Sequence, residues 1–144
     1  MPFSIREDKN TRNFRIRKDL DNFEHWILGG STFEWGENVF PDFDLVVFLQ
    51  IPPEIRIERL RTREFERYGV AIFENHDRKT QFDKFINWAA DYDINAGIAN
   101  RNINAHQKRL ASINYSVLKI IGDLTTENRI ELIIQKLQQE KHLP

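Results

Sequence analysis

The apolar positions of this chain fall in short clusters, and their spacing sets the expected elements. The continuous run Leu45-Val46-Val47-Phe48-Leu49, bounded by Asp44 and Pro52, is the strongest strand signal. Its lack of alternation suits a parallel strand covered on both faces. Trp26-Ile27-Leu28, closed by Gly29-Gly30-Ser31, reads as a shorter strand, and Val117 to Ile121, ending at Gly122-Asp123, as a third. Helical spacing is clearest near the end, where Ile130, Ile133, Ile134 and Leu137 make one stripe that should pack on a sheet. Phe82, Phe85, Ile86 and Ala89 repeat the same spacing. Pro52-Pro53-Glu54 opens a further helix, with proline tolerated in the first turn and acid at its positive end, and Gly69 interrupts it. Helices are also expected over about Ala96 to Leu110 and about Arg6 to Phe23, the latter built on Phe14, Ile16 and Leu20. The first ten residues should be loose, Thr32 to Asp42 a connection, and Phe73 to Thr80 a loop.

Apolar strands alternating with helices argue for a layered α/β fold with a parallel sheet. At 144 residues a single domain over the whole chain is expected. A formal net charge of −1 argues against a general nucleic-acid binder, which shows a basic excess. Without cysteine there are no disulfides, thiolate metal sites or thiol nucleophiles. No apolar run approaches the roughly 20 residues of a membrane span, and no signal-peptide pattern opens the chain, so a cytoplasmic protein with no membrane partner is expected.

Charge is patterned rather than absent. In IRIERLRTREFERYG, Arg56, Arg59, Arg63 and Arg67 share one helix face about 80° wide. Arg61 points elsewhere, with Glu58 and Glu64 within three residues, and reads as a surface ion pair. Arg63 and Arg67 have Glu66 and Glu64 at a distance of three. Arg56 and Arg59 have no acid three or four positions away, so this end of the stripe is expected to be unpaired. Guanidinium groups match phosphate oxygens and stack on bases, and ligands of open α/β folds bind outside the carboxyl ends of the strands. A stripe placed there suits a nucleotide or polyphosphate. The competing reading is a solvated helix laced with salt bridges.

Several segments together resemble the small P-loop nucleoside and nucleotide kinases, including adenylate-kinase-like members: PFSIREDKNTRNFRIRKDL, HWILGGS, FDLVVFLQIPPEIRIERLRTREFERYG, INWAADYD and VLKIIGD. The strand followed by IERLRTR is the most specific. The resemblance implies a three-layer parallel sheet with helices on both faces, and ATP with Mg2+ as the ligands of the intact family. By position, Arg59 would lie against the ATP base or phosphates and Arg63 would contact phosphates. Arg67 and Arg101 would be further lid arginines. Gly122 and Asp123 would border the adenine pocket, and Arg12, Gly30 and Ser31 would face the phosphoryl acceptor. Each has a plainer alternative as a surface residue, a tight turn or a helix entry.

The departure from that family is large. Its phosphate loop, G-x-x-x-x-G-K-[ST], cradles phosphates on backbone amides. None of the six glycines here is followed by lysine. In the family that loop follows the first, central strand, so the chain reads as entering the fold partway, at Met1-Pro2-Phe3, with that strand missing. No carboxylate follows Leu28 to hold magnesium. An N-terminally incomplete domain with little turnover and self-association through an exposed sheet edge is therefore expected. The alternatives are a non-catalytic nucleotide or polyphosphate binder and a protein-interaction module, both using the Arg56 to Arg67 stripe. His25, His76, His106 and His142 show no metal-ligand spacing, so no metal site is expected; His106 reads as a surface residue or a lining of the acceptor pocket. Phe82, Phe85, Trp88 and Tyr92 read as core.

Overall fold

The computed structural model describes residues 7–33, 35–36 and 39–140. The expected helix start at Arg6, the Met1-Pro2-Phe3 opening and His142 lie outside the described residues. The chain divides into two compact units, Met1–Phe43 and Asp44–Pro144.

In the first unit, α1 (Lys9–Leu20) starts where Asp8 can cap it. One Asp8 carboxylate oxygen accepts from the backbone amides of Asn10 and Thr11, both at 3.0 Å. The side chain and amide of Thr11, chiefly, hold that carboxyl below its ordinary pKa. Arg17 and Lys18 complement the dipole in the last turn, and Leu20 is buried. The unit's other contacts are aromatic: Trp26 meets Phe43 edge-on at 5.3 Å, and Phe40 lies 5.4 Å from Trp35 and 5.9 Å from Phe43. Trp26-Ile27-Leu28 forms no strand. Three residues are too few to hold a ladder, and while Trp26 is anchored by an aromatic neighbour, Ile27 is fully exposed.

The second unit contains β1 (Leu45–Gln50), α2 (Pro53–Tyr68), α3 (Ala71–Glu74), α4 (His76–Ile94), α5 (Ile103–Ser112), β2 (Ser116–Ile121) and α6 (Thr126–Gln139). The two strands pair in parallel, from Leu45 opposite Ser116 to Gln50 opposite Ile121. The Gly122 amide donates to Gln50 O at 2.9 Å and extends the ladder past both carboxyl ends. Among the described residues this is the whole sheet.

Proline in the first turn starts α2, and Gly69, at φ 57°, stops it, its amide donating to Phe65 O at 2.7 Å. The stretch expected to be a loop, Phe73 to Thr80, is instead helical on both sides of Asn75. The Asn75 side chain accepts from the Arg78 amide at 3.0 Å and recaps the chain, and Lys79 meets Asp83 one turn on at 2.7 Å. The last helix before β2 begins at Ile103 rather than Ala96, because Asn102 is its cap, accepting from the Ala105 amide at 2.8 Å.

The residues between α4 and α5 are organised by Asp91, which is 2% exposed. Its two oxygens accept from the amides of Ala96 at 2.7 Å and Ala99 at 2.6 Å. Together with the amide of Ile98 they hold the carboxyl below its usual range, Ala99 contributing most. Ile72, Ile86, Ala89, Ala99 and Ile120 form the buried core. The aromatic cluster expected in it is only partly there: Trp88 stacks on Phe85 at 6.3 Å but stays exposed. The α6 stripe packs partially, with Ile133 and Leu137 half-buried and Ile130 and Ile134 exposed.

Candidate ligand site at the strand ends

Parallel pairing brings the carboxyl ends of β1 and β2 side by side, one feeding α2 and the other the turn into α6. The stripe leaves the first end and Asp123 leaves the second. The expectation that Arg56 and Arg59 are unpaired is overturned: each finds an aspartate remote in sequence.

Arg56 turns toward α4. Its Nη2 donates to Asp93 Oδ2 and, at 3.1 Å, to Ala89 O, and its Nη1 reaches Asp93 Oδ1 at 3.4 Å. The guanidinium also lies 5.0 Å from the Tyr92 ring, and both ion-pair partners are mostly buried. Tyr92 in turn shares a 2.8 Å hydrogen bond with His106 Nδ1, whose ring meets Phe48 of β1 edge-on at 6.0 Å. Burial, and secondly the charge of Asp93, push the Tyr92 hydroxyl above its ordinary pKa, partly opposed by Arg56. Burial, and then the charge of Arg101, push His106 below its own, which favours neutral imidazole. His106 is thus part of a packed polar cluster rather than a free surface residue.

Arg59 turns instead toward the strand ends. Its Nη2 lies 2.8 Å from Asp123 Oδ1 and donates to Oδ2 at 3.0 Å. Arg129 approaches the same carboxylate at 3.8 Å. The pair is open to solvent, with the Arg59 side chain 54% and Asp123 34% exposed. Gly122, with φ at 115°, makes the turn that carries Asp123 off β2. Arg129 carried no local signal in the sequence; it reaches Asp123 because Thr125 caps α6, its side chain accepting from the Asn128 amide at 3.2 Å, and sets the helix's first turn.

The other expected site residues are dispersed. Arg63 makes a 3.4 Å contact with Glu64, not Glu66, and lies 5.8 Å from the Phe85 ring. Arg67 approaches Glu64 at 3.6 Å. Arg61 forms no ion pair among the described residues, contrary to its expected pairing with Glu58 or Glu64. Arg101 is exposed, just before the cap of α5. Arg12, Gly30 and Ser31 belong to the first unit. There Arg12 donates to Asn13 Oδ1 at 2.8 Å and covers the Trp35 ring at 3.9 Å, Gly30 takes a φ of 122°, and Ser31 Oγ accepts from the Phe33 amide at 3.3 Å. The structure therefore brings Arg59, Gly122 and Asp123 together and does not draw Arg63, Arg67 and Arg101 into that group.

Two hollows flank α2. The larger, about 470 Å³, lies between α2 and α4, with Ile57, Ala90 and Ile94 among its apolar walls and Glu54, Glu58 and Asp93 as acids. Arg61 also lines it, and Asp93 is paired with Arg56, so Glu54 and Glu58 outnumber the one lining arginine and disfavour phosphate there. The smaller, about 180 Å³, is lined by Tyr68, Phe82 and Phe85 together with Ile72 and the polar side chains of Glu64, Arg78 and Gln81. Among the described residues no group of three His, Asp or Glu side chains gathers to hold a metal ion, and no helix is long and apolar enough to cross a membrane.

No protein-family model and no solved structure matches the chain. It is 39% identical over 135 residues to "Uncharacterized protein YqaC" of Bacillus subtilis (strain 168), an alignment spanning 94% of this chain and 75% of that protein. By that identity and coverage, the chain belongs to the same family as YqaC.

Proposed function

We propose that this chain binds an adenine nucleotide at the carboxyl ends of β1 and β2, as a non-turning-over relative of the P-loop nucleoside and nucleotide kinases. The observation that supports this most is the contact between Arg59 and Asp123. The family resemblance assigns both to the nucleotide pocket on separate grounds, and they meet across 64 positions of sequence at 2.8 Å.

The chemistry of that contact suits a base. The N–H bonds of a guanidinium lie in its plane, so Asp123 engages the edge of Arg59 and leaves the flat faces available. An exposed, edge-anchored guanidinium is a surface on which a purine stacks. Arg63, one turn further along α2 and held by a long contact to Glu64 and a distant one to the Phe85 ring, is the side chain in this reading that meets the phosphates. The three-layer parallel sheet and a cytoplasmic setting belong to the same proposal, whereas the magnesium that the intact kinases use for transfer is not needed for binding alone. Phosphoryl transfer itself needs the γ-phosphate cradled as well as approached, and the sequence contains no G-x-x-x-x-G-K-[ST] to cradle it.

The test is a titration with a fluorescent ATP analogue, with and without magnesium. Binding is expected to be magnesium-insensitive and about tenfold weaker, roughly 1.4 kcal/mol, in Arg59→Ala. Arg59→Lys should lose as much, because lysine keeps the charge but not the plane. Adding Arg63→Ala should weaken binding further. Wild-type affinity in Arg59→Lys, or no binding at millimolar nucleotide, overturns the reading. So does steady ATP turnover in the ordinary enzyme range of about 1–10³ s⁻¹.

A further inference from the structure

The larger hollow, about 470 Å³, is a feature separate from the strand ends. Glu54, Ile57, Glu58 and Arg61 line it from one face of α2, roughly 100° wide and turned away from the face of Arg59 and Arg63. Ala90, Asp93 and Ile94 close it from the end of α4. Its floor is apolar and incompletely covered: Ile57 and Ala90 are half-buried, while Ile94 remains 71% exposed. The volume falls within the roughly 300–1,000 Å³ of small-molecule sites, which set a few polar groups among apolar walls.

We propose that this hollow binds a free organic amine, a monovalent cation with a flat apolar body of about the size of indole. The charges that line it decide the sign of the ligand. Neither Glu54 nor Glu58 forms an ion pair among the described residues, and Asp93 is taken by Arg56. Glu54 complements the positive end of α2, which leaves Glu58, one turn on, without a local duty. The end of α4 adds to the same sign, because a helix carboxyl terminus carries partial negative charge and the last turn here holds no basic residue. Arg61 is the one opposing charge on the wall, so the excess is a single carboxylate and suits one ammonium rather than a polyamine. A carboxylate on the ligand would meet Arg61 but also both glutamates, which favours an amine lacking one. With its ammonium at Glu58, such a ligand lays its apolar body over Ile57, Ala90 and Ile94.

Isothermal titration calorimetry of the full chain with tryptamine tests it. Tryptophol, tryptophan and 3-indolepropionate serve as comparisons, since they keep the ring but are neutral, zwitterionic and anionic. Saturable binding of tryptamine is expected, tighter than that of all three. Glu58→Gln should weaken it about tenfold and Glu54→Gln about threefold, whereas Arg61→Gln should tighten it about twofold by removing the opposing charge. All three side chains are exposed, so melting followed by circular dichroism should stay unchanged in these variants. Arg59→Ala should leave tryptamine binding intact, and Glu58→Gln should leave binding of the ATP analogue intact, which separates this site from the strand ends. No saturation at millimolar tryptamine, equal or tighter binding of any comparison compound, an indifferent Glu58→Gln, or loss of tryptamine binding in Arg59→Ala overturns the proposal.

Discussion

Arg56 and Arg59 stand three residues apart on α2, carry the same group, and each pair with an aspartate far along the chain, yet their surroundings set them to different work. Arg56 is 23% exposed, splits its fork between a carboxylate and a backbone carbonyl, and lies near an aromatic ring. Removing it would leave the mostly buried Asp93 carboxylate without its cation at the contact between two helices. Arg59 spends one nitrogen on one carboxylate, in solvent, at the edge of the sheet. An exposed pair of that kind contributes little to folding. A stripe that looks uniform on a helical projection is therefore a structural clamp at one end and, at the next turn, a solvent-exposed pair where the proposed nucleotide would bind.

The largest expected effect breaks the clamp. Arg56→Ala should destabilise the fold by about 2–3 kcal/mol, because it leaves a mostly buried carboxylate without its partner. Urea denaturation should show the midpoint falling, and Arg56→Lys should recover only part of it, lacking the fork. Arg59→Ala should move stability by less than about 1 kcal/mol while carrying the tenfold loss of nucleotide affinity described above. If the two variants exchanged these effects, the comparison would be reversed. Asp123→Asn should be milder, about threefold in affinity with unchanged stability, since the guanidinium is freed rather than removed.

Acid should sharpen the contrast on the Arg56 side alone. The folded pKa of His106 lies below the unfolded value of 6.5, so the unfolded chain binds the proton more readily in between. The stability associated with this residue is complete above 6.5, is lost as pH falls through the folded pKa, and then levels off. Denaturation midpoints measured from pH 7.5 to 5 should show that shallow decline, and His106→Gln should flatten it. The smallest effect belongs to Arg67→Ala, within about 0.5 kcal/mol, since Arg67 is itself exposed, its contact is a long 3.6 Å, and Glu64 keeps Arg63 as a partner.

Much of the fold was legible because local rules suffice for it. An uncharged apolar run makes β1, proline and glycine bracket α2, and a four-residue stripe marks α6. The first turn of α4 escaped because NHDRKT has no apolar period, and one asparagine cap decides it. Trp26-Ile27-Leu28 has strand composition without strand length. The pairing of the stripe was out of reach for a different reason. A search three or four residues either way sees helix neighbours, whereas Asp93 and Asp123 lie 37 and 64 positions on and arrive through the packing of α4 and the register of β2. Trp88 follows Phe85 by three and so looks internal, but it sits on the shoulder of the stripe that buries Ile86 and Ala89.

Asp91 carries a consequence for how this unit can meet an anion. Convergent backbone amides form the concave nests in which many proteins seat a phosphate. The turn holding Ala96, Ile98 and Ala99 is such a nest, and the protein has already filled it with its own carboxylate. A visiting anion there would have to evict a tenant tethered by the main chain. Within this turn, main-chain donors are closed to negative guests, and recognition falls to flexible side-chain tips, whose grip fades as salt rises.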